Sequence, residues 1–97
     1  MRLYHKTDIK NIQSILKDGL QCKYASYIPR IYLCKYPNMD MGLGKALFEV
    51  NIPDDDPKLN QKDGEGYWEF ISWEDLPVKW MTYLGEYGPN EKPEINE

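Results

Sequence analysis

A chain of 97 residues with 41% hydrophobic side chains has material for one core and little for a second domain, so one small unit is expected. Twelve basic against sixteen acidic residues give a net charge of -4, which argues against nucleic-acid binding driven by bulk charge. Two cysteines offer neither a disulfide framework nor zinc spacing, and no run approaches a membrane span, so a cytoplasmic, soluble protein with reduced thiols and no metal is expected.

The first predicted element is a short strand at Leu3 to His5, with Leu3 and His5 on one side and Tyr4 on the other. Ile9, Ile12, Ile15, Leu16 and Leu20 then recur at intervals that share one face of a 3.6-residue period, which predicts a helix over about Asp8 to Asp18. Thr7 or Asp8 is its expected N-terminal cap, and Gly19 supplies the left-handed residue that commonly ends a helix. The only histidine, His5, thus stands at the end of a strand just ahead of a helix.

Gln21 to Pro29 reads as a connection, and Ile31 to Cys34 as a strand with Ile31 and Leu33 opposed to Tyr32 and Cys34. Lys35 to Gly44 is expected to be loop. Ala46 to Ile52 alternates cleanly, Phe48, Val50 and Ile52 against Leu47, Glu49 and Asn51, and is the clearest strand. Residues 53–66 carry two prolines, two glycines and five acids around one aliphatic residue, Leu59, and predict an exposed loop. Tyr67 to Ile71 is the next strand, Ser72 to Asp75 a capped turn, and Val78 to Leu84 the last strand. A domain over 1–84 and a polar tail over 85–97 follow. One main N-terminal helix and about five strands without regular alternation favour an α+β fold with a bent, mostly antiparallel or mixed sheet.

Charge is unevenly spread. Residues 1–34 hold six Lys/Arg against two Asp/Glu, whereas residues 35–97 hold six against fourteen, so an anionic ligand is better received in the first third. Eight tyrosines and three tryptophans exceed what so small a core needs, and surplus aromatics serve as stacking or interface anchors. The acids of 53–66 lack the ligand spacing of a calcium loop, and Gly42-Leu43-Gly44-Lys45 is followed by Ala46 where a phosphate loop needs Ser or Thr. Nothing near Cys22 or Cys34 in the sequence would lower a thiol pKa. Glu69 sits inside an aromatic strand, either on an outer face or beside a cleft.

Several blocks together resemble a known family: Leu3-Tyr4-His5-x-Thr7, Asn11-Ile12-x-x-Ile15-Leu16-x-x-Gly19-Leu20, Ile31-Tyr32-Leu33, a strand ending in Ile52-Pro53, and Glu69-Phe70-Ile71 with Leu76-Pro77 downstream. Over about residues 2–84 they are similar to the ADP-ribosyltransferase fold. They are similar in particular to the branch with a His, Tyr, Glu triad, which includes poly-ADP-ribose polymerases, diphthamide toxins and DNA-modifying bacterial toxins. The resemblance implies NAD as substrate and His5, Tyr32 and Glu69 as catalytic residues. In that reading His5 donates a hydrogen bond to a hydroxyl of the nicotinamide-side ribose, and backbone groups of Lys6 pair with the nicotinamide amide. Thr7 bonds toward the adenosine, Tyr32 lies against the nicotinamide ring, and Glu69 stabilises the charge that develops as nicotinamide leaves. Arg30 or Lys6 would neighbour the pyrophosphate.

The place two residues before Glu69 holds Tyr67 rather than the Gln or Glu of arginine-modifying relatives, which argues against an arginine acceptor. Pro29-Arg30 stands where family members often have glycine. With only Arg2 and Arg30 as arginines, transfer of an RNA 2′-phosphate to NAD on a related fold is disfavoured. The expected function is therefore transfer of ADP-ribose to a macromolecular acceptor, a protein rather than a nucleic acid, or cleavage of NAD, with no membrane partner. The alternative is a non-catalytic protein-binding module, a phage or bacterial effector or inhibitor, docking through its aromatic and acidic C-terminal half, with Trp73 and Trp80 as anchors.

Overall fold

The computed structural model describes residues 1–22, 31–37, 44–53, 59–61, 69–72 and 74–88; for Leu59–Gln61 and Glu69 it describes the backbone alone. Among the described residues six strands run β1 (Arg2–Thr7), β2 (Ile31–Cys34), β3 (Ala46–Asn51), β4 (Leu59–Gln61), β5 (Glu69–Ser72) and β6 (Met81–Glu86), with one short helix, α1 (Ile12–Asp18), between β1 and β2. They form one sheet in the order β4-β5-β2-β1-β3-β6, every neighbour antiparallel. The fold is a small α+β domain, as the count of elements predicts.

Alternation explains which side chains meet. In register, Leu3 stands opposite Val50 and His5 opposite Phe48, while Leu33 stands opposite Phe70 on the other half of the sheet. Leu3, Leu33, Phe48, Val50 and Ile52 are each at most 1% exposed and join Ile15, Leu20 and Leu76 in one core under α1. Each such side chain taken out of water contributes about 1.5–3 kcal/mol. Phe48 also meets the ring of Tyr83, its cross-strand partner, at 5.2 Å between centroids and a tilt of 44°, a favourable aromatic geometry. The opposite face is closed in its central strands as well, with Tyr4, Cys34, Leu47 and Ile71 all buried.

The helix departs from its predicted form at its N-terminal end. Ile9–Asn11 is a 3₁₀ turn, and only Ile12–Asp18 is α-helical. A 3₁₀ turn has three residues per turn instead of 3.6, so Ile9 rotates off the apolar stripe and is 48% exposed. Leu16 is also exposed, leaving Ile15, Leu20 and the partly buried Ile12 to face the core. Neither expected cap works by its side chain: Asp8 makes no capping bond, and the Thr7 hydroxyl accepts from Asn11 Nδ2 at 2.9 Å. Gly19 does end the helix, its N–H donating to Ile15 O at 2.8 Å. Its φ of 77° and ψ of -167° lie outside the left-handed helical region, because the chain must straighten at once to pair Leu20 with Leu76.

Three further differences come from pairing over distance. Leu59–Gln61, inside the expected loop of 53–66, is a strand because β5 offers it an edge. Val78–Trp80 is a 3₁₀ turn and not the start of a strand. Finally β6 continues through Gly85 and Glu86, which the sequence assigns to the tail; a register irregularity between Leu47 and Phe48 and the φ of 116° at Gly85 accommodate the extension. Ser72, expected to open a capped turn, instead ends β5, its Oγ donating to Glu74 O at 2.7 Å and accepting from Glu74 N at 3.3 Å. Trp80 packs against the core, and Trp73 lies outside the described residues.

Candidate functional site

Pairing is shortest at the centre of the sheet. β1 pairs with β3 along six residues, Arg2 to Thr7, yet its register with β2 consists of Tyr4 opposite Cys34. His5 and Tyr32 lie next to this pair, and the imidazole joins the two strands: Nδ1 is 2.8 Å from the main-chain carbonyl of Tyr32.

A carbonyl oxygen only accepts, so Nδ1 carries the proton and donates. In the neutral ring that leaves Nε2 as an acceptor. The sequence reading has His5 donate to a ribose hydroxyl; the tautomer set by Tyr32 makes the neutral ring a receiver of that hydroxyl's proton. Burial pushes the pKa of His5 below its ordinary 6.5, and the bond to the Tyr32 carbonyl opposes this only in part. The imidazole therefore stays neutral at pH 7.

This has a measurable consequence for stability. Above pH about 6.5 the ring is neutral in both the folded and the unfolded chain, and it contributes no slope. As pH falls below 6.5 the unfolded chain takes the proton first, so stability declines until the folded-state pKa is passed, and then levels. Because His5 is the only histidine, its ring resonances can be followed alone by NMR. A midpoint below 6.5 is expected, along with loss of that part of the pH slope in His5→Gln; a midpoint at or above 6.5 would overturn the assignment.

Alternation places His5 with Leu3 on the core face and Tyr32 with Tyr4 and Cys34 on the other, so the two side chains lie on opposite faces of the sheet. Both are half-buried. Glu69 starts β5, its Cα opposite Cys34, one strand away from Tyr32 and two from His5. The three elements named by the sequence are thus neighbours, β5-β2-β1, although the Glu69 side chain lies outside the described residues. Arg30 lies outside them too.

The other sequence candidates find definite surroundings. The Thr7 hydroxyl accepts from Asn11 and keeps its own proton to donate. Lys6 is buried, and its Nζ donates to Gly88 O at 3.0 Å. The resemblance uses Lys6 both for its backbone groups and, with Arg30, as a neighbour of the pyrophosphate, and the sequence clue to its burial is a charged residue alternating with Tyr4 in a strand. Cys22 is buried, with its N–H on Asp75 Oδ1 at 2.8 Å. Burial first, and then the Asp75 charge, push its thiol pKa up, which disarms it as a nucleophile at neutral pH. Among the described residues no group of three or more His, Cys, Asp or Glu could hold a metal ion, and no helix is long and apolar enough to cross a membrane.

No family model, curated protein or solved structure matches this chain. The functional reading consequently rests on the residues and on the strand order that brings β5, β2 and β1 together.

Proposed function

We propose that this protein is an ADP-ribosyltransferase-like enzyme that binds NAD and transfers its ADP-ribose to a macromolecular acceptor, a protein in preference to a nucleic acid, or to water. The observation that carries this reading is the adjacency of β5, β2 and β1, with His5 joined to Tyr32 beside the short pairing of β1 and β2. In this reading the nicotinamide ring lies against the ring of Tyr32. His5 Nε2 receives a ribose hydroxyl, and the Thr7 hydroxyl donates toward the far end of the ligand.

In the reaction the bond from the anomeric carbon to the nicotinamide nitrogen breaks, and nicotinamide leaves with the electron pair. The ribose is left with positive charge that the Glu69 carboxylate stabilises. An acceptor nucleophile or water then adds to that carbon and loses its proton. The gain comes from a charge aimed where charge develops, so it acts on the transition state more than on bound NAD.

Incubation of the protein with NAD is expected to release nicotinamide, slowly with water and faster when an acceptor is supplied. Calorimetric titration of NAD separates the outcomes when release is absent. Binding without release would mean a missing acceptor or an inactive descendant of the scaffold, while no binding would remove the NAD reading. One observation favours the second reading, a protein-binding module: Ile9 and Leu16 remain about half exposed along the helical segment, next to Lys10 and Lys17. That surface differs from the aromatic C-terminal half named by the sequence, where Trp80 is spent on the core.

A further inference from the structure

The chain leaving β6 bends back over the sheet. Gly85, Leu47 and Lys6 stand level across β6, β3 and β1. In a straight continuation of β6, Gly88 would lie about 14 Å from Lys6, beyond the reach of a lysine side chain and one hydrogen bond. Yet Lys6 Nζ donates to Gly88 O at 3.0 Å. The segment from Gly85 to Gly88 therefore folds toward β1 across the face that Leu47 and Lys6 share, where both are buried. The Tyr87 ring follows it, since a Cβ added at Gly85 would meet a ring carbon at 3.5 Å. Gly85 is the pivot, for its φ of 116° is open to glycine and scarcely to any other residue. Past it the segment is fastened at two points, by Tyr87 N on Lys45 O at 2.8 Å and by the Lys6 ammonium on Gly88 O.

The fastening lies beside the candidate site. Lys6 stands between His5 and Thr7, which the NAD reading sets along the ligand, and alternation gives it the face of Tyr4, Cys34 and Tyr32. A dinucleotide that lies against Tyr32 and reaches Thr7 passes the point where Gly88 is held. We propose that Gly85 to Gly88 is an autoinhibitory strap, pivoted at Gly85 and latched by Lys6, which lifts to admit NAD and stays off while NAD is bound. The gate rests on the NAD reading, whereas the latch stands on the bond from Lys6 to Gly88. Segments at the end of an outer strand open at lower free energy than the core, so the strap lifts while the pairing of β1 with β3 stays closed. The affinity for NAD is then reduced by the fraction of molecules whose strap is down.

Amide hydrogen exchange followed residue by residue on the full chain tests both parts, with Tyr87 N–H reporting the strap and Val50 N–H, in the middle of the sheet, reporting global unfolding. Lys6→Met is expected to speed exchange at Tyr87 by about tenfold to a hundredfold, the loss of one hydrogen bond from a charged donor, and to leave Val50 at the wild-type rate. Equal acceleration at both amides would make Lys6 a brace for the whole fold, and no acceleration at Tyr87 would mean that Lys6 does not hold the strap; either result overturns the latch. If Lys6→Met does not fold, Lys6→Gln carries the same comparison. Saturating NAD added to the wild type is expected to speed Tyr87 exchange by about tenfold or more without speeding Val50. NAD that binds by calorimetry yet leaves Tyr87 exchange unchanged, or slows it, would overturn the gate. Failure of the NAD reading looks different: no heat of binding appears, the gate falls with that reading, and the Lys6→Met comparison still decides the latch.

Discussion

Replacing Glu69 by glutamine is expected to slow nicotinamide release by about a hundredfold to a thousandfold, or about 2.7–4 kcal/mol on the barrier. The dissociation constant for NAD should move by less than about threefold. Glutamine keeps the size of the side chain and a carbonyl that can bond a ribose hydroxyl, so bound NAD loses little. What disappears is the negative charge, and its largest effect comes when the glycosidic bond has lengthened and the anomeric carbon is positive. Glu69 opens β5 with its Cα opposite Cys34, a backbone position that glutamine can take. Glu74→Gln is the matching control: Glu74 is exposed and takes part in the Ser72 turn through its backbone, so its variant should turn over at the wild-type rate. Single-turnover rates beside NAD titrations read both quantities. A Glu69→Gln enzyme within tenfold of wild type would remove the carboxylate from the chemistry, and one that no longer binds NAD would make it a ground-state ligand.

Gly19→Ala is expected to destabilise the fold by about 3–5 kcal/mol, a large part of the roughly 5–15 kcal/mol typical of such domains. The backbone at Gly19, φ 77° and ψ -167°, lies in a region that residues with a Cβ scarcely enter. Space is the second obstacle, because a Cβ there would sit 2.2 Å from Leu76 O and 2.8 Å from Val78 N. Those are backbone atoms and cannot swing aside. Relief requires opening the bridge in which Leu20 N bonds Leu76 O at 3.1 Å and Leu76 N bonds Leu20 O at 2.9 Å. Both leucines belong to the core, at 5% and 1% exposed, so the loss extends beyond two hydrogen bonds. Gly85→Ala provides the comparison. Its φ is 116°, but the nearest atom to an added Cβ is a Tyr87 ring carbon at 3.5 Å, so only the backbone strain of about 1–2 kcal/mol applies. Urea melts of the two variants should differ in midpoint with similar slopes. Equal losses would mean that the crossing of Gly19 over Leu76 yields more easily than its contacts indicate.

Local rules recovered much of this molecule. The spacing of Ile12, Ile15 and Leu20, the glycine after Asp18, and the alternation through Ile31 to Cys34 and Ala46 to Ile52 each follow from the covalent period of helix or strand, and each predicts which side chains share a face. His5, Tyr32 and Glu69 are singled out by the family resemblance, and period assigns only the face each one shares. Their neighbours are not legible along the chain. Leu59–Gln61 has no strand pattern of its own and forms only where β5 leaves an edge, and Leu16 stays in water because a seven-residue helix covers only part of the core. The partner of His5 is a main-chain carbonyl, which any residue at position 32 would supply, so no side-chain signal announces it. Likewise nothing near Lys6 in the chain points to Gly88. Spacing along the backbone settles orientation because it repeats every few residues. Strand order, the short pairing between β1 and β2, and the bond from His5 to Tyr32 depend on distant segments competing for the same edges, and that competition is resolved only when the whole sheet closes over its core.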